Sequence, residues 1–170
     1  MCIRDRSGIG KAIVEELLEL GVNVANFDLS DNDLRHPNLL FVKVDVTSRS
    51  EVEEGVAKIV ERFGNIDAVV NNAGITRDNL LLRMSEDDWD DILNIHLKAV
   101  YRLSKRVLKG MTKARFGRII NVSSVVAHFA NPGQANYSAA KAGIEAFSRS
   151  LAKEMGSRQI TVNSLSLIHI

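Results

Sequence analysis

Apolar residues recur at two different spacings along this chain, and the two spacings alternate from one segment to the next. Short apolar runs of strand length are separated by longer segments in which apolar residues return every three or four positions, as in amphipathic helices. Strands that alternate with helices predict right-handed βαβ units and a parallel sheet with helices on both faces. The sequence therefore predicts an α/β fold with a doubly wound parallel sheet in three αβα layers.

The predicted strands and helices follow these patterns and their end signals. The strands are residues 22–27, 39–44, 66–70, 118–122 and 160–163, and three helices are residues 9–20, 86–114 and 136–155. A further helix is predicted between a cap at Thr47 or Ser48 and its end at Gly64. The segment 30–40, which joins two of the strands, is about as short as the shortest full crossover of ~10–12 residues, so we expect no full helix there.

The composition excludes several classes of protein. The formal net charge of the 170 residues is +1, which gives no general attraction to nucleic acid or to an anionic membrane. No apolar run approaches the ~20 residues that span a bilayer, and Met1 to Arg6 are too polar for a secretory signal. Cys2 is the single cysteine, and the four histidines lack ligand spacing: His36, His96, His128 and His169. We expect a cytoplasmic protein without metal, nucleic acid or membrane.

The two ends of the chain match translations of one DNA sequence and of its reverse complement. ATGTGTATAAGAGACAG encodes Met-Cys-Ile-Arg-Asp and CTGTCTCTTATACACAT encodes Leu-Ser-Leu-Ile-His, each followed by a partial codon, as in residues 1–6 and 165–170. This DNA resembles the transposase end used in preparing sequencing libraries, and two unrelated native peptides are the alternative. We expect non-native ends, a single incomplete domain over residues 7–164 that is truncated at both ends, and a longer parent protein with native ends.

A glycine pair at the start of the first helix indicates a nucleotide site. Gly8 and Gly10 would let the backbone approach a pyrophosphate at the helix N-terminus, although a plain tight turn has the same pattern. Asp28 follows Gly10 by eighteen residues at a strand end, close to the ~20 residues expected for an acid that binds ribose hydroxyls; the alternative is a turn aspartate. The predicted cofactor-binding residues are Gly8, Ile9, Gly10, Asp28, Leu29, Asp45, Val46, Asn72, Ala73, Gly74, Tyr137 and Lys141.

Three further residues form a pattern that fits acid–base chemistry. Tyr137 and Lys141 lie four residues apart on a predicted helix and share one face, and Ser124 follows a predicted strand. A phenol with an ordinary pKa of ~10 is a poor acid or base at neutral pH, and a nearby ammonium lowers that pKa. A serine hydroxyl can hold a carbonyl oxygen. A lone Tyr-x-x-x-Lys is common by chance, so the order of all the motifs carries the prediction.

From Ser7 to Asn163, the order of these motifs resembles that found in the short-chain dehydrogenase/reductase family. Within it the resemblance is to the 3-oxoacyl-[acyl-carrier-protein] reductases of fatty-acid synthesis, through NNAGITRDNLLLRM (residues 71–84) and GQANYSAAKAGIEAFSRSLAKE (residues 133–154). It implies a Rossmann-type fold and hydride transfer between a nicotinamide cofactor and a carbonyl or secondary alcohol. Ser124 would polarise the carbonyl, Tyr137 would donate the proton, and Lys141 would bind the nicotinamide ribose and lower the pKa of Tyr137.

Four positions of this chain bear on the resemblance. His96 stands where the family has a catalytic asparagine that helps to hold a water; the alternative is a buried structural histidine. Asp28 stands where the carrier-protein reductases have a basic or small residue, so NAD(H) is implied over NADP(H). Arg115 and Arg158 match two arginines that engage the acidic carrier protein near the mouth of the site, or they are plain surface charges.

The substrate is left open by the sequence, because the family's substrate loop would lie beyond Asn163. A 3-oxoacyl thioester is the first candidate, and a sugar alcohol or other small secondary alcohol is the second. A non-catalytic dinucleotide sensor is an alternative of another class, although Ser124, Tyr137 and Lys141 together argue against it. The helices 86–114 and 136–155 are expected to form the contacts of a homodimer or homotetramer.

Overall fold

The strands and helices alternate along the chain as expected. The computed structural model describes residues 2–3, 8–30 and 34–166 of the chain. The strands are β1 (Cys2–Ile3), β2 (Val24–Asp28), β3 (Leu39–Lys43), β4 (Ala68–Asn71), β5 (Gly117–Val122) and β6 (Ile160–Leu165). The helices are α1 (Ile9–Glu19), α2 (Arg49–Phe63), α3 (Glu86–Ile92), α4 (Ala99–Ala114), α5 (Val126–Phe129) and α6 (Ala135–Met155), with short 3₁₀ turns at Leu81–Arg83 and Gly156–Arg158.

The strands form two parallel three-stranded sheets that lie side by side. One has the order β1-β2-β3 and the other the order β4-β5-β6, and every recorded strand pair is parallel. β1 and β4 are neighbours, but no ladder joins them in the described part of the chain. The predicted α/β fold is confirmed, and the doubly wound sheet is divided where the short β1 meets β4.

Helices cover both faces, and the main core lies on one of them. Side chains of α2, α4 and α6 pack there against all strands from β2 to β6, around the fully buried Phe27, Ile59, Met111, Ile119 and Ile160. On the other face α1 packs through Val14 and Leu18. The main core contains residues of both sheets, so it holds the two sheets together across the division between β1 and β4.

Several helix ends follow the sequence signals. The Ser48 side chain accepts a hydrogen bond from the Glu51 amide at the start of α2, and α2 ends at Gly64, whose φ of 84° suits glycine. Ser85 and Asp88 form a capping box at the start of α3. The predicted helix 86–114 is continuous but contains a π-helical segment, Leu93–Lys98, between α3 and α4. No helix lies between β2 and β3 in the described residues; residues 31–33 fall outside them.

A row of polar side chains crosses the second sheet at one level. Asn71, Asn121 and Ser164 are register partners on β4, β5 and β6. The Asn71 amide donates to Asn121 Oδ1 at 2.7 Å, the Asn121 amide donates to Ser148 Oγ at 2.8 Å, and Ser164 Oγ donates to Ser148 Oγ at 2.9 Å. These four side chains, defined here as the amide row, satisfy one another inside the fold.

Asn26 is a contrasting buried amide on β2. It is fully buried, and neither amide atom has a hydrogen-bond partner among the residues that the structure describes. Its register partner on β1 is Ile3, so the unpaired amide lies beside the shortest strand of the fold. A buried polar group without a partner costs about 1–3 kcal/mol.

Candidate active site

The predicted site residues follow the carboxyl ends of strands that run parallel within each of the two sheets of the described chain. Asp28 ends β2, and Asp45 and Val46 follow β3. Asn72, Ala73 and Gly74 follow β4, and Ser124 follows β5 by two residues. Ligands of open parallel sheets bind at the carboxyl ends of the strands. The arrangement therefore places the predicted catalytic and cofactor-binding groups along the edge where a ligand is expected.

Helix α6 brings Tyr137 and Lys141 to the segment that follows β5. Tyr137 is half-buried and its hydroxyl is hydrogen-bonded to the Ser124 side chain. The Lys141 ammonium is 4% exposed, donates to the Val122 carbonyl oxygen at 2.7 Å and lies 5.4 Å from the centre of the Tyr137 ring. The sequence thus correctly predicted that these three side chains meet; their roles in catalysis stay predictions.

The pKa values of this group differ from the expected pattern. Burial raises the pKa of the Tyr137 phenol and is the largest effect. The hydrogen bond with Ser124 lowers this pKa, and the negative charge of Asp78 raises it. Burial also lowers the pKa of Lys141 to about 8. Lys141 is not among the groups that shift the pKa of Tyr137 here, so the expected lowering of that pKa by Lys141 stays a prediction.

The carboxylate of Asp78 was not foreseen from the sequence. Its Oδ2 accepts a hydrogen bond from the Gln134 side chain at 2.9 Å, which holds the exposed loop after β4 against the start of α6. The charge reaches Tyr137 only because the loop folds back over α6. A sequence pattern would not reveal this, because Asp78 lies 59 positions before Tyr137.

His96 is buried behind the tyrosine, in the π-helical segment. It is 2% exposed, its ring meets the Tyr137 ring edge-on at 5.1 Å between centres, and Nε2 lies 2.7 Å from the Ile75 carbonyl oxygen. A Cβ on Gly74 would collide with His96 Cε1. Gly74 therefore makes room for His96, and not only for a cofactor as its place after β4 suggests. These contacts fit a structural histidine, and a catalytic role for it stays a prediction.

The other half of the edge fits the adenosine diphosphate part of a dinucleotide. Gly8 has a φ of 79°, and α1 begins after it with no acidic residue in its first turn and no side-chain cap. An anion is favoured at such a helix N-terminus. The Asp28 carboxylate is 5% exposed and accepts from the Ser30 amide at 3.2 Å. These groups match the donors and acceptors that a pyrophosphate and a ribose require.

The remaining predicted cofactor-binding residues differ in their exposure and in their hydrogen bonds. Gly10 is buried, whereas Ile9 and Leu29 are exposed. Val46, Asn72 and Ala73 line a narrow cavity of about 20 Å³. Asp45 Oδ1 accepts from the amide and from the hydroxyl of Thr47, each at 2.8 Å. Asp45 therefore stabilises a turn, and its predicted contact with the cofactor stays a prediction.

Arg115 and Arg158 lie away from the catalytic edge. Arg115 ends α4 just before β5, and its guanidinium donates to the Ser157 carbonyl oxygen at 3.2 Å; Arg158 stands just before β6. Both arginines are therefore at the amino ends of strands whose carboxyl ends carry Ser124. Within one chain the length of β5 separates them from Ser124, and their docking of an acidic carrier protein stays a prediction.

The described helices include none that is both long and apolar enough to cross a membrane. A family model described as short chain dehydrogenase matches residues 4–168 of the chain. Together with the parallel sheet and the Ser124–Tyr137–Lys141 group, this match makes the chain a member of the short-chain dehydrogenase family, whose members are NAD(P)-dependent oxidoreductases.

Curated relatives indicate which enzymes within this family the chain resembles. The chain is 48% identical over 165 residues to the 3-oxoacyl-[acyl-carrier-protein] reductase FabG of Vibrio cholerae, covering 94% of the chain and 68% of the relative. It is also 48% identical to the enzyme of that name from Pseudomonas aeruginosa, over 171 residues, with the same two shares. The Escherichia coli enzyme is 48% identical over 162 residues, which are 92% of the chain and 66% of the relative. The chain thus spans about two thirds of the length of these relatives.

Proposed function

We propose that the parent protein reduces 3-oxoacyl thioesters to 3-hydroxyacyl thioesters, with an acyl-carrier-protein-bound chain as the natural substrate. The observation that carries this proposal is the 48% identity to 3-oxoacyl-[acyl-carrier-protein] reductases over 94% of the chain. The group of Ser124, Tyr137 and Lys141 supports it, because a carbonyl reduction needs a hydrogen-bond donor and a proton donor at the same oxygen.

The chain's own groups can perform the acid–base part of this reaction. Gly8 and Asp28 would hold a nicotinamide cofactor, which would supply the hydride that the carbonyl carbon accepts. The Ser124 hydroxyl donates a hydrogen bond to the carbonyl oxygen, and Tyr137 transfers its phenolic proton to that oxygen as negative charge develops there. The raised pKa of Tyr137 keeps the phenol protonated before the transfer. The Lys141 ammonium, 5.4 Å from the ring centre, stabilises the negative charge left on the Tyr137 oxygen after the transfer, though less strongly than a direct contact would.

We also propose that NADH is preferred to NADPH. Asp28 stands at the end of β2 with its carboxylate largely buried. A carboxylate there accepts hydrogen bonds from two ribose hydroxyls, as in the dinucleotide-binding fold generally. It would repel the phosphate that distinguishes NADPH, because two negative groups would meet in a poorly hydrated place.

The test is NADH oxidation by the parent protein with an acetoacetyl thioester, set against a panel of sugars and small ketones. The proposal expects the thioester to have the highest kcat/KM. A higher kcat/KM for a sugar would favour the dehydrogenase of a sugar alcohol. Nucleotide binding without turnover of any of these substrates would favour the sensor.

We further propose a homodimer formed through α3, α4 and α6. An open groove between these helices is lined by Leu93, Leu97, Gly143 and Phe147. In the continuous helix 86–114, all charged side chains near the start, from Glu86 to Asp91, are acidic. All charged side chains from Lys98 to Lys113 are basic. Two antiparallel copies would place acids against bases. Phe147→Glu should convert a dimer to a monomer in light scattering, whereas an unchanged mass would contradict this interface.

A further inference from the structure

Helix α6 holds three successive residues, Val122 at the end of β5 and Ser123 and Ser124 directly after it. Lys141 donates to the Val122 carbonyl oxygen, Tyr137 is hydrogen-bonded to Ser124, and Ser123 Oγ between them donates to Glu145 Oε1 at 2.8 Å. Positions 137, 141 and 145 follow at intervals of four residues, about one helical turn each. Glu145 therefore continues the row of side chains with which α6 contacts the site.

The same carboxylate also reaches the far end of this segment. Glu145 Oε2 lies 3.0 Å from Nε2 of His128 in the short helix α5, and 3.9 Å from the Arg149 guanidinium. Ser123 and His128 are the first and last residues of the stretch 123–128, in which Ser124 stands second. One carboxylate thus ties both ends of the stretch to α6.

Burial and geometry make this tie important for Ser124. The Glu145 side chain is 12% exposed and Ser123 is 5% exposed, so their hydrogen bond is largely shielded from water. The Ser124 hydroxyl has only a long contact within the stretch, 3.4 Å from the Val126 amide. Besides the hydrogen bond with Tyr137, the position of Ser124 therefore depends on how the two ends of the stretch are held.

We propose that Glu145 is a positioning residue that fixes Ser124 for catalysis by binding Ser123 and His128. The proposal rests on the function proposed above, in which the Ser124 hydroxyl donates to the substrate carbonyl. Small misplacements of a catalytic group cost much of its effect, since a shift of ~1 Å can lower a rate about 10²-fold. The loss should fall on kcat, because the recorded partners of Glu145 are Ser123, His128 and Arg149, none of which is a predicted cofactor-binding residue.

The experiment compares three variants of the parent protein in the reduction of an acetoacetyl thioester by NADH. Glu145→Ala should lower kcat about tenfold and leave the KM for NADH within about twofold. Glu145→Gln should recover most of kcat, because its amide oxygen still accepts from Ser123. The matched control is Glu154→Ala, which removes an exposed carboxylate from the same helix and should leave kcat unchanged.

The outcomes separate this proposal from the proposed function. If the unmutated protein does not reduce the thioester, the proposed function is wrong. If it does, and Glu145→Ala keeps its kcat, or Glu145→Gln loses as much as Glu145→Ala, the positioning role is wrong. Should Glu145→Ala not fold, Ser123→Ala removes the same hydrogen bond with a smaller change, and an unchanged kcat in that variant would likewise overturn the proposal.

Discussion

The buried ammonium of Lys141 should make the stability of the parent protein depend on pH in the alkaline range. Burial lowers its pKa from 10.5 to about 8, and its Nζ donates to the Val122 carbonyl oxygen. Between these two pKa values the unfolded chain binds one proton more than the folded chain, so the free energy of unfolding rises with pH. The stabilisation is complete above the unfolded-state pKa and is lost as the pH falls through about 8.

The size of the effect follows from the two pKa values. Their difference of about 2.5 units corresponds to about 3–4 kcal/mol, at ~1.4 kcal/mol per unit. Other lysines and tyrosines titrate in the same range, so the quantity to measure is the free energy of unfolding of the wild type minus that of Lys141→Met. Urea unfolding should show this difference rising by about 2–3 kcal/mol between neutral pH and about pH 10.

A matched control separates burial from the loss of any positive charge. Lys153 is an exposed lysine on the same helix, so the corresponding difference for Lys153→Met should stay flat over the same pH range. If the Lys141→Met difference also stays flat, the ammonium is not desolvated to the extent that its burial implies. The reasoning about its charge beneath Tyr137 would then be refuted.

Three further predictions concern the site and the chain. Tyr137→Phe in the parent protein should lower kcat at least ~10²-fold with little change in cofactor binding, because only the proton donor is lost; a near-normal kcat would remove Tyr137 from the mechanism. Asp28→Ser should narrow or reverse a preference for NADH, measured as the ratio of kcat/KM for the two cofactors, and an unmutated protein with equal values would contradict the role of Asp28. The 170-residue chain itself should unfold on heating without a sharp transition, and millimolar NAD⁺ should not change this. The reason is that Asn26 is unpaired and no ladder joins β1 to β4 in the described residues. A sharp thermal transition whose midpoint temperature rises with NAD⁺ would contradict this prediction.

Most of the fold was predictable because its signals are local. Ser48 and Gly64 mark the ends of α2 where the sequence predicts them, and the helix predicted from residue 86 begins directly after its cap Ser85. Apolar runs of strand length gave five strands to within a few residues. The short helix α5 and the π-helical segment Leu93–Lys98 were not predicted, since neither changes the apolar spacing enough to be recognised.

The site was predictable in its members but not in its electrostatics. The order of Ser124, Tyr137 and Lys141 and the rule for parallel strands were enough to bring the three together. The pKa of Tyr137 depends on how deeply its ring is buried and on the position of Asp78, which only the folded loop determines. Glu145 could have been noticed as the next residue in the row from Tyr137, but its partner Ser123 is visible only in three dimensions.

The amide row favours one register of strand pairing in the second sheet during folding. The apolar side chains of β4, β5 and β6 would tolerate a shifted pairing, whereas Asn121 finds the side chains of Asn71 and Ser148 only in the observed one. A slip by two residues keeps every side chain on its face but leaves buried amides unpaired, at about 1–3 kcal/mol for each group. Replacing Asn121 with an apolar residue would therefore remove part of the energetic penalty against shifted strand pairing. The yield of correctly refolded protein should then fall.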